Sequence, residues 1–185
     1  MTTNFLSFRF FYKEIRWQLL YKKLRKIEFL ILDVDGVMTT GQFLYSKDGK
    51  VMKVFGPDDN DALNMLKPHI EIRFITADKN GLPISHKRIK EDMNFQLDLV
   101  GTIERVDWIK DRYDPLEVIY MGDGIFDHFI MKEVGYSIAP ANADKTAKEN
   151  ANFVTGNSGG NRAVAEACIH IMQKFFNKNY ADNTP

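Results

Sequence analysis

Phe29-Leu30-Ile31-Leu32-Asp33-Val34-Asp35-Gly36 sets four apolar residues in a row ahead of two carboxylates and a glycine. An unbroken apolar run leaves no polar face, so it reads as a strand buried on both sides, and the aspartates fall where that strand runs out into a loop. Burying one carboxylate is costly, and two in one short turn call for compensation, most simply by a cation. The plainer alternative is that Asp33 caps a neighbouring element and Asp35-Gly36 is an ordinary turn. The rest of the chain decides between them.

Downstream, Gln42 to Ser46 and Val51 to Phe55 are short β-prone runs around Lys47-Asp48-Gly49-Lys50, predicting a hairpin turning at Asp-Gly directly after the paired aspartates. Gly56 to Asp61 is loop chemistry, with Asp58 or Asp59 expected to cap the helix that follows. Further apolar strands are predicted at Ile72–Ile75, Leu97–Val100, Val118–Met121, Tyr136–Ala139 and Phe153–Val154. Helical patterns fall between them, from Pro83 to Met93, Ile103 to Tyr113, after Asp127, and from Ala143 to Asn150; a last helix runs from Ala163 to Phe176. Strands alternating with helices predict an α/β domain, a parallel sheet with helices on both faces. Ligands bind such sheets beyond the carboxyl ends of the strands, and Asp33, Asp35, Thr76, Asp123 and Asp127 each follow such an end.

With 185 residues, the chain suits one domain with appendages: an N-terminal extension over 1–26, a core over 27–176 and a polar, frayed tail over 177–185. Net charge is zero, yet residues 1–26 carry +6 and the remainder −6. Aromatics and bases at helical spacing make 1–26 a basic amphipathic helix, expected to pack on the acidic domain or on a neighbouring subunit; membrane-surface contact, nucleic-acid binding and organelle targeting are the less favoured alternatives. There is no apolar run long enough to span a membrane and no secretory signal pattern, which gives a cytoplasmic protein as the expectation. The lone cysteine, Cys168, reads as a small core residue. His128 reads as a surface or helix-cap histidine, and His69, His86 and His170 lack zinc spacing.

Carboxylates gathered at one mouth suit a hard divalent cation, and a site that also takes a phosphate favours Mg2+, with Asp33 and Asp123 as ligands and Asp35 and Asp127 beside them. With charge neutralised there, Asp33 can attack phosphorus as a nucleophile, while Asp35 serves first as acid and then as base. The Thr76 hydroxyl and nearby backbone amides would hold phosphoryl oxygens.

Asp33-Val34-Asp35-Gly36-Val37-Met38-Thr39, Thr76 after an apolar strand, and Gly122-Asp123 followed by Asp127 resemble motifs one, two and four of the haloacid dehalogenase superfamily of phosphatases. Within it, Phe29 to Ile171 is similar to the phosphatases of 3-deoxy-D-manno-octulosonate 8-phosphate and of nonulosonate 9-phosphates, through the hairpin, Phe55 with Asp59, Tyr136 to Ala141, and Gly159-Gly160 with Ala163-Val164 and Glu166. The resemblance implies a Rossmann-like fold, a Mg2+-dependent phosphomonoesterase for a small phosphorylated sugar acid, an aspartyl-phosphate intermediate, and a homotetramer in which hairpins and C-terminal tails close neighbouring sites. The short intervals from Asp35 to Thr76 and from Thr76 to Arg105 leave no room for a cap domain. A non-catalytic assembly module, as attached to some sugar-activating enzymes, is the alternative.

Two departures stand out. The motif-three lysine of the family falls on Arg105, with Lys79 or Lys110 as substitutes, so the phosphate-binding set becomes Thr76, Ala77, Lys79 and Arg105. The usual Arg-Asp-Gly after Phe55 is Asp58-Asp59-Asn60, and the usual Ser-Gly-Arg of motif two is Thr76-Ala77-Asp78.

Overall fold

A computed structural model describes residues 26–179, so the predicted N-terminal helix lies almost wholly outside the described residues, as does 180–185 of the expected tail. The first strand, β1, is Phe29–Asp33. Leu30 and Leu32 enter one core cluster and Ile31 the other, so alternate side chains of one strand fill both sides of the sheet. That is the physical content of the unbroken apolar run.

After β1 the chain makes a tight turn at Val34–Met38, whose Asp35 and Gly36 are not helical, and enters the hairpin of β2 (Thr39–Ser46) and β3 (Gly49–Phe55). The hairpin forms as predicted, but Ser46 pairs with Gly49, so the turn residues are Lys47 and Asp48. Gly49 instead starts β3, at a φ of 122° open to glycine. The core continues through α1 (Asp59–Leu66), β4 (Glu71–Thr76), α2 (Leu82–His86, then a wider turn to Asp92) and β5 (Gln96–Leu99). It is completed by α3 (Arg105–Lys110), β6 (Val118–Met121), α4 (Asp127–Met131), β7 (Tyr136–Ala139), α5 (Lys145–Asn150), β8 (Phe153–Val154) and α6 (Ala163–Phe176).

The main sheet is wholly parallel, in the order β5-β4-β1-β6-β7-β8, with β1 flanked by β4 and β6. Strand order reverses beside β1, which is where a crevice opens above a doubly wound sheet. Between β1 and β4 lie only the hairpin and α1, and between β4 and α3 only α2 and β5, so neither interval holds a cap domain. Two helices are shorter than predicted. Residues 102–104 form a turn ahead of α3, and the Asp144 carboxylate caps α5 by accepting from Thr146 N at 2.8 Å, fixing its start. Among the described residues no helix is long and apolar enough to cross a membrane.

The capping expectation at Asp58 and Asp59 is corrected. Neither side chain caps α1: Asp58 sits at φ 64° without a cap bond, and the buried Asp59 reaches across to accept from Ala165 N at 2.9 Å in the first turn of α6. One helix thereby supplies the cap of another, locking α1 to α6 on the same face of the sheet. Burial raises the Asp59 pKa to about 6. Replacing Asp59 by alanine is expected to cost about 1–2 kcal/mol in urea unfolding, the value of a lost helix cap, while Asp59→Asn, which keeps an acceptor, retains most of it.

Candidate active site

The parallel strands deliver their C-terminal ends to one crevice. Asp33 is the last residue of β1 and Thr76 the last of β4, Asp123 lies two residues beyond β6, and Asp127 and Arg105 open α4 and α3. Asp33, Asp123 and Asp127 each offer a carboxylate oxygen within 4.8 Å of the others. Gly36 faces them at φ 85°, and a Cβ there would overlap the Asp123 carboxylate, so the motif-one glycine is fixed both by its backbone and by its neighbour.

Arg105 is the organising cation. Only 2% of it is exposed, yet it donates to both oxygens of Asp33, at 2.7 and 3.0 Å, and to Asp127 Oδ1 at 3.0 Å. Tyr120 completes the group: its hydroxyl accepts from Arg105 at 3.0 Å and donates to Asp127 Oδ1 at 2.7 Å, while Gly124 N donates to Asp127 Oδ2 at 2.8 Å. Burial works against the Arg105 charge, but Tyr120, Asp33 and Asp127 outweigh it and hold the guanidinium protonated. The same burial raises Asp33 to about 6, with Arg105 opposing the rise and Asp127 adding to it. Asp123 is pushed up further, to about 8, by burial and by the Asp33 and Asp127 charges.

Two buried carboxylates and the part-buried Asp123 around one guanidinium leave an excess of negative charge that a hard divalent cation would neutralise, and an all-oxygen donor set suits magnesium better than a soft metal. Asp35 lies apart. Its carboxylate faces Lys53, whose Nζ is 2.8 Å from Oδ1 and 2.9 Å from Oδ2, and accepts from the Thr76 hydroxyl at 3.3 Å. Among the described residues, the carboxylates that gather closely enough to share an ion are Asp33, Asp123 and Asp127, while Asp35 is engaged by Lys53.

Other predicted residues separate. Thr76 is buried beside Asp35, whereas Ala77 and Lys79 are exposed and have no place in the carboxylate cluster. Lys110 pairs with Glu133 at 2.8 Å on the flank between α3 and α4, and among the described residues it is Arg105 that pairs with Asp33. His128 Nδ1 lies 2.8 Å from Ile125 O, a local turn contact. Cys168 is a buried free thiol in the core, as predicted.

Three participants escaped the sequence reading. Lys53, on β3, has its side chain wholly removed from solvent and also contacts Asp78 at 2.8 Å and donates to Ser85 Oγ at 2.9 Å. Lys50 holds Asp78 as well, and although burial resists ionisation, the two ammoniums keep Asp78 at about 2. A lysine amid Val51, Met52, Val54 and Phe55 was the available signal. Tyr120 carries a hydroxyl in an otherwise apolar strand, a sign that a buried partner is needed. Asn142 donates to Gly36 O at 3.0 Å and accepts from Gly159 N at 2.6 Å, tying the C-terminal Gly-Gly turn to motif one; no local pattern marks it.

Comparison with known proteins agrees with this geometry. Residues 109–168 match the family model of haloacid dehalogenase-like hydrolases. The 3-deoxy-D-manno-octulosonate 8-phosphate phosphatase of Salmonella typhi is 31% identical over 160 residues, covering 81% of this chain and 81% of that protein. The cobalt-bound phosphatase of the same description from Haemophilus influenzae superposes with a TM-score of 0.70 at 28% identity, covering 82% of this chain and 90% of that one. The Moraxella catarrhalis phosphatase, in complex with magnesium, phosphate and KDO, shares the fold with a TM-score of 0.70 at 24% identity, over 86% of this chain and 93% of that one. A central β1 ending in Asp33, an uncapped crevice and these relatives together make the chain a phosphatase of the haloacid dehalogenase-like hydrolase family, on the branch of the 3-deoxy-D-manno-octulosonate 8-phosphate phosphatases.

Proposed function

We propose that the protein is a magnesium-dependent phosphomonoesterase for a small phosphorylated sugar acid, of the octulosonate 8-phosphate or nonulosonate 9-phosphate type. The observation that carries this reading is the cluster of the buried Asp33 and Asp127 with the part-buried Asp123 at the mouth of the sheet, with Asp35 held two residues from Asp33. Asp33 and Asp123 would hold the ion, with Asp127 beside them. Bound there, magnesium supplies charge neutralisation for the phosphoryl group and the carboxylates.

An Asp33 oxygen attacks phosphorus, the ester P–O bond breaks, and Asp35 gives its proton to the departing sugar oxygen. Asp35 then takes a proton from the water that cleaves the aspartyl phosphate, which releases inorganic phosphate and restores Asp33. The Arg105 guanidinium orients Asp33 and contributes positive charge as the phosphoryl group transfers. Thr76 and Ala77 follow β4 at the same mouth, where the hydroxyl and backbone amide would meet phosphoryl oxygens, and the exposed Lys79 would meet substrate at the rim.

The hairpin supports a homotetramer, since Phe43, Leu44, Tyr45, Val51, Met52 and Val54 are all exposed on a two-stranded ribbon that cannot bury them itself. We place the reaction in the cytoplasm, where phosphorylated sugars are held by their charge. A second reading, a non-catalytic assembly module, draws on Arg105 occupying both oxygens of Asp33.

A screen of sugar-acid phosphates with magnesium is expected to give turnover with the wild type and none with Asp33→Asn; no turnover of any substrate would favour the assembly module. In the same assay Arg105→Lys keeps activity within about tenfold, whereas Arg105→Ala, which leaves buried carboxylates uncompensated, loses about 3–5 kcal/mol of stability. Sedimentation is expected to find the active species as a tetramer, and an active monomer would refute that state.

The Asp123 pKa also sets a pH dependence. Raised in the folded protein to about 8 from 3.8, this group binds more protons folded than unfolded, so its contribution to stability is full below about pH 4 and is lost as pH rises toward 8. With metal chelated, Asp123→Asn is therefore expected to gain melting temperature relative to wild type between pH 5 and pH 8, and added magnesium to raise the wild-type melting temperature more at pH 8 than at pH 5.

A further inference from the structure

Lys53 belongs to the hairpin, yet its ammonium ends inside the crevice. Its side chain is 0% exposed, and its contacts number three groups: the Asp35 carboxylate at 2.8 and 2.9 Å, Asp78 Oδ2 at 2.8 Å and Ser85 Oγ at 2.9 Å. An ammonium has three protons and no acceptor, so these partners exhaust it. Asp35 sits on extended backbone at φ −82° and ψ 121°, and its other side-chain bond is a long one from Thr76, at 3.3 Å. The ammonium is thus the strongest restraint on where the Asp35 carboxylate points.

The lysine is itself held from three sides. Asp78 follows β4, Ser85 lies on α2, and Lys50, three residues earlier on β3, pairs with the same Asp78 while sitting over the Phe43 ring at 3.3 Å. One ammonium bridging Asp35, Asp78 and Ser85 couples the position of β3 to the direction of the Asp35 carboxylate, because moving either would leave a buried charge unpaired.

We propose that Lys53 is a positioning residue for proton transfer: by clamping Asp35 it aims that carboxyl at the leaving oxygen, which makes the hairpin a working part of the phosphoryl-transfer step. This rests on the reading of Asp35 as the proton carrier. The bond that breaks is the ester P–O bond, and the proton that Asp35 delivers ends on the departing oxygen. A misaimed Asp35 therefore penalises esters whose oxygen leaves badly as an anion and spares those whose oxygen leaves well.

The test is kcat/KM, which covers the steps through departure of the leaving group, for 4-nitrophenyl phosphate, phenyl phosphate and an alkyl phosphate, with magnesium present. Lys53→Met is expected to lose about 100-fold or more on the alkyl ester and less than about threefold on the 4-nitrophenyl ester, in line with the 10²–10⁴ worth of general acid catalysis. Asp35→Asn should show the same graded loss, and the double variant no more than Asp35→Asn alone. Lys53→Arg, which keeps the charge, should restore part of the alkyl-ester rate. If Lys53→Met does not fold, Lys53→Arg and Ser85→Ala carry the test through the same grading, each milder. An equal loss on all three esters, or none, would overturn the proposal while leaving the phosphatase reading intact. Failure of the wild type to turn over any ester would remove the phosphatase reading and this inference with it.

Discussion

The fork of Arg105 onto Asp33 is the contact on which the rest of the site depends. A sheet whose central strand ends in a buried carboxylate must place positive charge there, and α3 meets that need by starting with an arginine almost wholly excluded from water. Its guanidinium binds Asp33 and Asp127 at once, which joins the end of β1 to the start of α4, while the Tyr120 hydroxyl on β6 accepts from the guanidinium and donates to Asp127. A lysine presents a point charge and could not span both carboxylates with the same fixed geometry. The arginine in this chain therefore ties the end of one strand to the start of a helix through their carboxylates.

Charge is distributed across the crevice in two compartments. On one side Asp33, Asp123 and Asp127 face a single guanidinium and remain in excess, which is why burial lifts Asp123 to about 8. On the other, Asp35 pairs with Lys53, and Asp78 pairs with both Lys50 and Lys53, which hold it at about 2. Two carboxylates only one residue apart in sequence, Asp33 and Asp35, are thus handed to different cations. That separation gives the pair unlike environments, the condition under which one carboxylate can act as nucleophile and its neighbour as proton carrier.

The departures from the family pattern make physical sense as exchanged pairings. Asp58 takes the place of an arginine and meets Arg162 at 3.0 Å; Asp78 takes the place of another and meets Lys50 and Lys53. In both cases a charge reversed at one position is answered by an opposite charge on a segment distant in sequence.

The sequence by itself determined the parallel sheet, the central β1, the hairpin after it and the residues gathered at the strand ends, because each is written in local signals: an unbroken apolar run for a strand buried on both faces, alternating periods for strand and helix, and Asp-x-Asp-Gly at a strand terminus. Arg105 was marked through the resemblance to the family, whose motif-three lysine falls on that position. Only the tertiary structure decided how charge is shared. Lys53 pairs with Asp35 across 18 residues, Asp59 caps a helix that starts 104 positions away, and Asn142 joins Gly36 to Gly159. Such partners carry no periodicity, and their meeting follows from the strand order and the packing of α1 on α6. Burial, which converts an ordinary surface lysine or aspartate into a strongly coupled one, is a property of the assembled fold and of no single stretch of the chain.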